Sequence, residues 1–118
     1  MPMERQLKYR EVEIMKKIVL LCCAGMSTSL LVTKMQEAAT KQDLKLTIVA
    51  VSEAEARSQM IDADVVLLGP QVRYLLGKIS GQLKPKGAPV GVIDSVSYGT
   101  INGEAVVKQA LGMLKEPV

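Results

Sequence analysis

Cys22 opens a segment that combines a thiol, a glycine and several hydroxyls directly behind a short apolar run, residues 18–21. The residues that follow the cysteine are Cys23, Ala24, Gly25, Met26, Ser27, Thr28 and Ser29. A helical pattern starts near Ser27, so unpaired backbone N–H groups and the positive end of a helix would face this segment. A glycine-containing turn at a helix start is typical of phosphate binding. Together with the thiol it predicts covalent phosphoryl chemistry on sulfur.

Cys22 is the predicted nucleophile of this segment. The thiolate is the reactive form of cysteine, and a helix start lowers the pKa of a nearby thiol from its usual value of about 8.5. The side chain of Cys23 should point the opposite way, which predicts a core position for it. A purely structural role for Cys22 stays open as an alternative, because cysteine is among the most frequently buried residue types.

The composition sets bounds on the fold and on the partners. A chain of 118 residues fits a single domain, and its apolar fraction of 48% includes only three tyrosines and no Phe or Trp. The core must therefore consist of Val, Leu, Ile, Met and Ala. A net charge of +3, without a basic block interleaved with aromatic residues, argues against nucleic-acid binding.

The content of cysteine and histidine excludes several kinds of site. The two cysteines are adjacent, a spacing at which a mutual disulfide is rare, and the chain contains no histidine. His-ligated zinc, Ser/His/Asp and Cys/His catalysis, and phosphohistidine formation on this chain are therefore excluded. No metal and no cofactor are expected.

The first 15 residues are rich in charge and do not have the pattern of a signal peptide. The apolar run that follows them is too short to span a bilayer. We expect a cytoplasmic protein with a single domain over residues 16–118. Residues 1–15 would be an extension, whether a tail, a short helix or a remnant of cloning.

Four apolar runs, many of them β-branched, alternate with helical patterns along the chain. The runs are residues 18–21, 46–51, 65–68 and 90–93. None alternates cleanly, which indicates strands buried on both faces of a parallel sheet. The order predicts an α/β fold, a doubly wound four-stranded parallel sheet with helices on both faces. Ligands of such sheets bind outside the carboxyl ends of the strands, where Cys22 lies.

The helical patterns have recognisable starts and apolar faces. The first runs to about Lys41, Ser52 and Glu55 form a capping-box signature for the second, Gly69-Pro70 precedes the third, and Asn102 is the predicted N-cap of the last. The predicted apolar face of the first helix is Leu30, Leu31, Met35, Ala38 and Ala39. That of the third is Val72, Leu75, Leu76, Ile79 and Leu83, and that of the last is Val106, Val107, Ala110, Leu111 and Leu114.

A cysteine phosphatase is the main alternative function. Phosphatases of the low-molecular-weight type use a Cys-x5-Arg loop, and Thr28 occupies the arginine position here. They also need an aspartic general acid. Asp64 opens a strand at the wrong end of the sheet, and Asp94 lies at the right end without an Asp-Pro loop. A phosphocysteine would thus form but resist hydrolysis, which favours a carrier. A phosphatase or arsenate reductase, or an anion-binding regulatory module, stays open on these residues.

Three segments together resemble one known family. Cys22-x-Ala-Gly-Met-Ser-Thr-Ser continues into Leu-Leu-Val-x-Lys-Met, residues 63–74 read ADVVLLGPQVRY, and residues 92–99 read VIDSVSYG with Gly103 beyond. In order and spacing, over residues 16–115, this chain resembles the IIB subunits of the lactose/cellobiose (chitobiose) family of the bacterial phosphoenolpyruvate-dependent sugar phosphotransferase system.

The resemblance implies a mechanism, partners and a site. The cognate IIA protein would pass phosphate from its histidine to Cys22, and the chain would pass it to a disaccharide during transport through the membrane protein IIC. Residues 23–29 would form a phosphate-binding loop like that of low-molecular-weight phosphatases. We expect a monomer with a flat, mainly apolar docking surface around Cys22, with Met26 as a candidate contact. The sugar is open among cellobiose, chitobiose, lactose and β-glucosides, with cellobiose-like disaccharides as the first expectation.

Four further polar residues would border the loop. They are Gln71, Tyr74, Asp94 and Tyr98. We expect turn or capping roles for Gln71 and Asp94, and half-buried packing for the two tyrosines, in preference to a direct part in the site.

Overall fold

Four parallel strands lie at the centre of the chain in a computed structural model, which describes residues 16–22 and 26–114. The strands are β1 (Lys16–Leu21), β2 (Leu46–Val51), β3 (Val65–Leu68) and β4 (Val90–Val92). The helices are α1 (Met26–Lys41), α2 (Glu53–Gln59), α3 (Leu76–Leu83), α4 (Ser95–Gly99) and α5 (Gly103–Met113), and a 3₁₀ helix (Pro70–Leu75) precedes α3.

The strand order is β2-β1-β3-β4, and every neighbouring pair is parallel. β1 and β3 lie in the middle of the sheet and are fully buried over most of their length, whereas β2 and β4 form the edges and are partly accessible. The predicted four-stranded parallel α/β sheet is confirmed. β1 begins at Lys16, slightly earlier than predicted, and β4 ends at Val92, slightly sooner.

Successive residues of the central strands point into two separate cores, as the pleat of a strand requires. Ile18 and Leu20 of β1 pack with α1 and α5 on one face, in a cluster that includes Met35 and Val106. The intervening residues of β1 pack on the other face with α2, the 3₁₀ helix and α3. Helices on both faces of the sheet are therefore confirmed.

Two leucines assigned to apolar helix faces are instead exposed. Leu30 has 51% of its surface accessible, because the face of α1 that packs on the sheet begins at Leu31 and continues through Met35, and Leu30 is turned away from it. Leu76 is also exposed, since the third helix starts as a tight 3₁₀ turn with a kink at Val72. A 3₁₀ helix has about 3.0 residues per turn instead of 3.6. A face predicted from a continuous 3.6-residue period therefore does not match the side-chain directions after this turn.

The predicted helix starts are found, with differences in their capping. The Asn102 side chain accepts a hydrogen bond from the Ala105 N–H at 3.1 Å, as predicted for an N-cap. At α2 the Ser52 hydroxyl donates to the Glu55 carboxylate at 3.0 Å, and neither side chain caps a backbone N–H. The start of α2 is therefore confirmed, whereas the bonding of a capping box is absent there.

Gly103 brings the backbones of α1 and α5 into direct contact. A Cβ atom at this position would lie 2.3 Å from the carbonyl carbon of Lys34 and 2.5 Å from the backbone nitrogen of Met35. No side chain fits between the two helices here. α5 thereby holds α1, the helix whose first turn is the second half of the predicted phosphate loop.

No helix within residues 16–22 and 26–114 has the length and apolar character needed to cross a bilayer. Residues 1–15 and 115–118 lie outside the described part of the chain. The division into a domain over 16–118 and an extension over 1–15 therefore stays a prediction.

We predict that Gly103→Ala lowers the free energy of unfolding by about 3 kcal/mol, the upper part of the range for overpacking, because the added methyl group meets backbone atoms that cannot rotate away. Urea denaturation followed by circular dichroism measures this change. Gly112→Ala in the same helix is the control: a Cβ there meets nothing within 4 Å. That control should raise stability by up to about 1 kcal/mol through helix propensity. Equal effects of the two substitutions would contradict the close helix contact.

Candidate phosphoryl-transfer site

Cys22 extends β1 by one residue beyond its last paired position. Its backbone N–H donates to the carbonyl of Val51 in β2 at 3.1 Å, so the sheet continues to hold the cysteine. The side chain lies on the same face as those of Ile18 and Leu20, and only 2% of the residue is accessible. The thiol is therefore a fixed part of the carboxyl edge of the sheet.

The strand order places Cys22 at the point where the direction of winding reverses. The chain goes from β1 to β2 on one side and returns to β3 on the other, so the carboxyl ends of β1 and β3 diverge into different connections. Leu21 pairs with Leu68, and the Gly69 N–H donates to the Leu21 carbonyl at 2.9 Å. Such a switch point is where open α/β sheets bind ligands.

Gly69 leaves the space that the Cys22 side chain occupies. A Cβ atom on Gly69 would lie 3.1 Å from the Cys22 Sγ and 2.9 Å from the Gln71 Oε1. The backbone of Gly69, with φ −62° and ψ 151°, is open to any residue, so the requirement is for space. The sequence indicated this glycine only as part of the Gly69-Pro70 pair that precedes the third helix. Its role follows from the pairing of β1 with β3.

α1 begins at Met26 and presents its N-terminal end to the segment after Cys22. No acidic residue occupies its first turn, so nothing there opposes a bound anion. Thr28 in this turn is buried with 5% accessible surface, whereas Ser29 is exposed. Of the other predicted loop residues, Cys23, Ala24 and Gly25 lie outside the described part of the chain, as do the side chains of Met26 and Ser27.

A hydrogen bond joins the first turn of α1 to the segment after β4. The Thr28 Oγ1 lies 3.3 Å from the Tyr98 hydroxyl oxygen in α4. The Tyr98 side chain is half-buried and packs against the core of the face that contains Cys22, so its predicted packing role is confirmed. The bond was not predicted, because the two residues are 70 positions apart.

Asp94 caps α4, as predicted. Its carboxylate accepts hydrogen bonds from the Ser97 N–H at 3.0 Å and from the Ser97 hydroxyl at 3.1 Å. Gln109 of α5 holds the preceding strand end, donating to the Val92 carbonyl at 2.8 Å and accepting from the Asp94 N–H at 3.3 Å. Asp64 accepts a hydrogen bond from the Lys17 N–H at the opposite edge of the sheet. At that position it cannot act as a general acid at Cys22.

Three exposed apolar side chains lie in the segments that directly follow β1, β3 and β4, at the same edge as Cys22. They are Leu30 in the second turn of α1, Tyr74 in the 3₁₀ helix and Val96 in α4, with accessible fractions of 51%, 71% and 70%. The half-buried packing predicted for Tyr74 is wrong, because the 3₁₀ turn directs its ring outward. We name Leu30, Tyr74 and Val96 the apolar rim.

The site thus combines a buried thiol, the start of a long helix and a hydroxyl held by hydrogen bonding. The position of a phosphatase arginine is taken by Thr28, which bonds to a tyrosine. The two aspartates considered as acids are engaged elsewhere in the fold. This arrangement favours formation of a phosphocysteine and lacks, among the described residues, the groups expected for its hydrolysis.

Comparison with known proteins decides between these interpretations. The family model described as "PTS system, Lactose/Cellobiose specific IIB subunit" matches residues 17–109. The chain belongs to the lactose/cellobiose IIB family. It is a phosphotransferase subunit that carries phosphate for sugar transport and works with IIA and IIC partners. The carrier interpretation is therefore confirmed over the phosphatase, arsenate reductase and regulatory-module alternatives.

Relatives within the family differ in their named sugars. The chain is 42% identical over 100 residues to an oligo-beta-mannoside-specific EIIB component of Bacillus subtilis, covering 85% of this chain and 97% of that protein. It is 38% identical over 104 residues to a galactose-specific and to a cellobiose-specific EIIB component of Lactococcus lactis, each match covering 84% of this chain and 96% of the relative.

Solved structures confirm the fold. A cellobiose-specific IIB component from Borrelia burgdorferi superimposes with a TM-score of 0.71 at 38% identity, covering 88% of this chain and 97% of that one. The lactose-specific IIB domain from Streptococcus pneumoniae gives a TM-score of 0.75 at 16% identity, covering 83% of this chain and 96% of that one. The second likeness shows how far the fold persists after the sequences have diverged.

We predict that Tyr98→Phe lowers the free energy of unfolding by about 1 kcal/mol, because it leaves the buried Thr28 hydroxyl without its partner. A double-mutant cycle with Thr28→Val isolates the bond: after Thr28→Val, the further change Tyr98→Phe should cost little. Urea denaturation of the four proteins measures the coupling energy. Additive effects of the two substitutions would show that the hydroxyls do not interact.

Proposed function

We propose that Cys22 is the residue that carries the phosphoryl group. The observation behind the proposal is the position of its thiol, at the switch point of the sheet and beside the start of α1. In the transfer from IIA, the Cys22 thiolate attacks phosphorus, the S–P bond forms and the P–N bond to the IIA histidine breaks. The electron pair returns to the imidazole nitrogen, and the proton that the thiol has lost is balanced by protonation of the imidazole.

The backbone N–H groups and hydroxyls of residues 23–29 would bind the phosphoryl oxygens. Support comes from the helix that starts at Met26 without an acidic residue in its first turn, since such an N-terminus favours a dianion. The absence of an arginine at position 28 supports retention of the phosphate on sulfur until a sugar is presented. In the second transfer, a sugar hydroxyl attacks phosphorus, the O–P bond forms and the S–P bond breaks. The electron pair of the S–P bond returns to sulfur, and the proton released by the hydroxyl balances the negative charge of the regenerated thiolate.

The burial of Cys22 suits a group that transfers phosphate to a partner rather than to water. With 2% of the residue accessible, bulk solvent has almost no contact with the thiol. Water would therefore have little opportunity to hydrolyse a phosphocysteine there.

The apolar rim is the proposed docking surface for IIA and IIC. Leu30, Tyr74 and Val96 are exposed at the edge that presents Cys22, and exposed apolar side chains grouped on one part of a surface are typical of protein–protein interaction sites. Both partners must bring a phosphoryl donor or acceptor to the same sulfur. They should therefore bind this edge one after the other.

We further propose a cytoplasmic monomer that serves a cellobiose-type disaccharide. The family description and the cellobiose-specific relatives support this sugar class, and the oligo-beta-mannoside-specific relative offers the next candidate. Phosphorylation assays with membranes containing the cognate IIC, supplied in turn with cellobiose, chitobiose, lactose and a mannobiose, would identify the sugar. Sedimentation equilibrium would test the monomer.

We predict that the wild-type chain and Cys23→Ser each gain one phosphoryl group, whereas Cys22→Ser gains none. The chain is incubated with phosphoenolpyruvate, enzyme I, HPr and a IIA protein of the lactose/cellobiose type, and intact-mass spectrometry detects the added group. Cys23→Ser is the matched control because it removes the neighbouring thiol. Phosphate retained by Cys22→Ser would assign the nucleophile elsewhere. If the chain hydrolysed p-nitrophenyl phosphate in a Cys22-dependent reaction and accepted no phosphoryl group from IIA, the result would favour the phosphatase interpretation.

We predict that Val96→Lys raises the IIA concentration needed for half-maximal phosphorylation by about tenfold, because a valine side chain contributes about 1.5 kcal/mol when it is buried in an interface. Stopped-flow or quenched-flow measurement of phosphate transfer at varied IIA concentration gives this value. Ile61→Lys is the control, since Ile61 is equally exposed (69%) but precedes β3 at the opposite edge. It should leave the value within about twofold of wild type. Equal effects of the two lysines would argue against the apolar rim as the docking surface.

A further inference from the structure

We propose that the Gln71 side chain contacts the phosphoryl group while it is on Cys22 and stabilises the transfer through its carboxamide. This role goes beyond the turn position expected for Gln71 from the sequence. It rests on the proposed function of Cys22 as the phosphoryl carrier.

The first observation is the proximity of the carboxamide to the sulfur. The position that a Cβ on Gly69 would take is 2.9 Å from the Gln71 Oε1 and 3.1 Å from the Cys22 Sγ. Both atoms therefore border the same small space above Gly69. Gln71 follows β3, the neighbour of β1 in the sheet, and its backbone lies in the 3₁₀ helix that begins at Pro70.

The second observation is that this carboxamide is available for hydrogen bonding. Within the described part of the chain, the Gln71 side chain makes no hydrogen bond, and it is exposed at the carboxyl edge. By contrast, the Gln109 carboxamide uses both its oxygen and its nitrogen to hold the end of β4. Half a turn of the Gln71 carboxamide about its last bond exchanges oxygen and nitrogen, so its NH₂ group can face the sulfur instead.

A carboxamide suits the chemistry of a carrier. Its NH₂ group donates hydrogen bonds to phosphoryl oxygens, and such bonds to a charged acceptor are stronger than bonds between neutral groups. It has no charge and does not titrate, so it cannot act as the general acid or base that hydrolysis requires. A guanidinium in the same place would hold the dianion more firmly and oppose its transfer to the sugar. Gln71 would thus assist transfer without favouring retention or loss to water.

The test measures the rate of phosphate transfer from phosphorylated IIA to three variants at varied IIA concentration. Gln71→Ala should lower the maximal rate by about tenfold, the loss expected for a hydrogen bond to a charged group. Gln71→Glu should lower it further, because a carboxylate repels the doubly charged phosphoryl group. The IIA concentration for half-maximal rate and the urea midpoint should be unchanged in both, since the side chain is exposed and uncommitted.

Gln82→Glu is the matched control for charge. Gln82 is exposed near the end of α3 and lies by Met60 and Ile61, at the edge opposite Cys22, so its maximal rate should stay near that of wild type. A second readout is the ³¹P chemical shift of the phosphocysteine, which Gln71→Ala should move and Gln82→Glu should not.

The outcomes separate this inference from the function on which it rests. If wild type is phosphorylated on Cys22 while Gln71→Ala keeps the wild-type maximal rate, only the role of Gln71 is overturned. A change confined to the IIA concentration for half-maximal rate would also overturn it, since that result assigns Gln71 to docking. If Cys22→Ser accepts phosphate as wild type does, both the carrier residue and the Gln71 contact are overturned.

Discussion

β1 pairs along both of its edges and packs on both of its faces, so its carboxyl end has one fixed position in the molecule. Every feature of the site is placed relative to that end. Cys22 continues the strand and keeps a ladder hydrogen bond to β2, while Gly69 at the end of β3 leaves room for the sulfur. A parallel sheet covered by aliphatic side chains can fix this position, because atoms in a close-packed interior have little room to move. The sulfur of Cys22 is thereby held by the core.

In the proposed site the N-terminal end of α1 attracts the negatively charged phosphoryl group, so α1 would need an equally fixed position. Two contacts distant in sequence serve this purpose. Gly103 lets α5 rest on the backbone of α1, and Tyr98 bonds to Thr28 in the first turn. Both contacts come from the chain after β4, so the last third of the sequence supports a site whose proposed nucleophile lies in the first third. The small α4 and its Asp94 cap belong to the same support.

The difference between a carrier and a phosphatase on this type of fold is one of degree in electrostatics. A phosphocysteine keeps its transfer potential when the surrounding groups bind the dianion well enough to form it and not so well that it is trapped. In the proposed site, helix N–H groups, a hydroxyl and a neutral carboxamide would meet that requirement with dipoles alone. The engagement of Asp94 in capping and of Asp64 at the far edge leaves water without an activating acid or base near Cys22 among the described residues.

The sequence alone was sufficient for the parallel sheet, its four strands and the place of Cys22, because aliphatic runs and the residues that end them are local patterns. The sequence was also sufficient to identify the family, because the motifs that indicate it can be read, with their order and spacing, from a single chain. Contacts between distant segments needed the tertiary structure: the space above Gly69, the Thr28–Tyr98 bond, and the phase of the third helix that exposes Leu76. A short stretch of sequence determines neither the pairing of β1 with β3 nor the angle at which a helix leaves a 3₁₀ turn. Each is a compromise among many packed side chains, and so only the folded chain decides which residues meet around the sulfur.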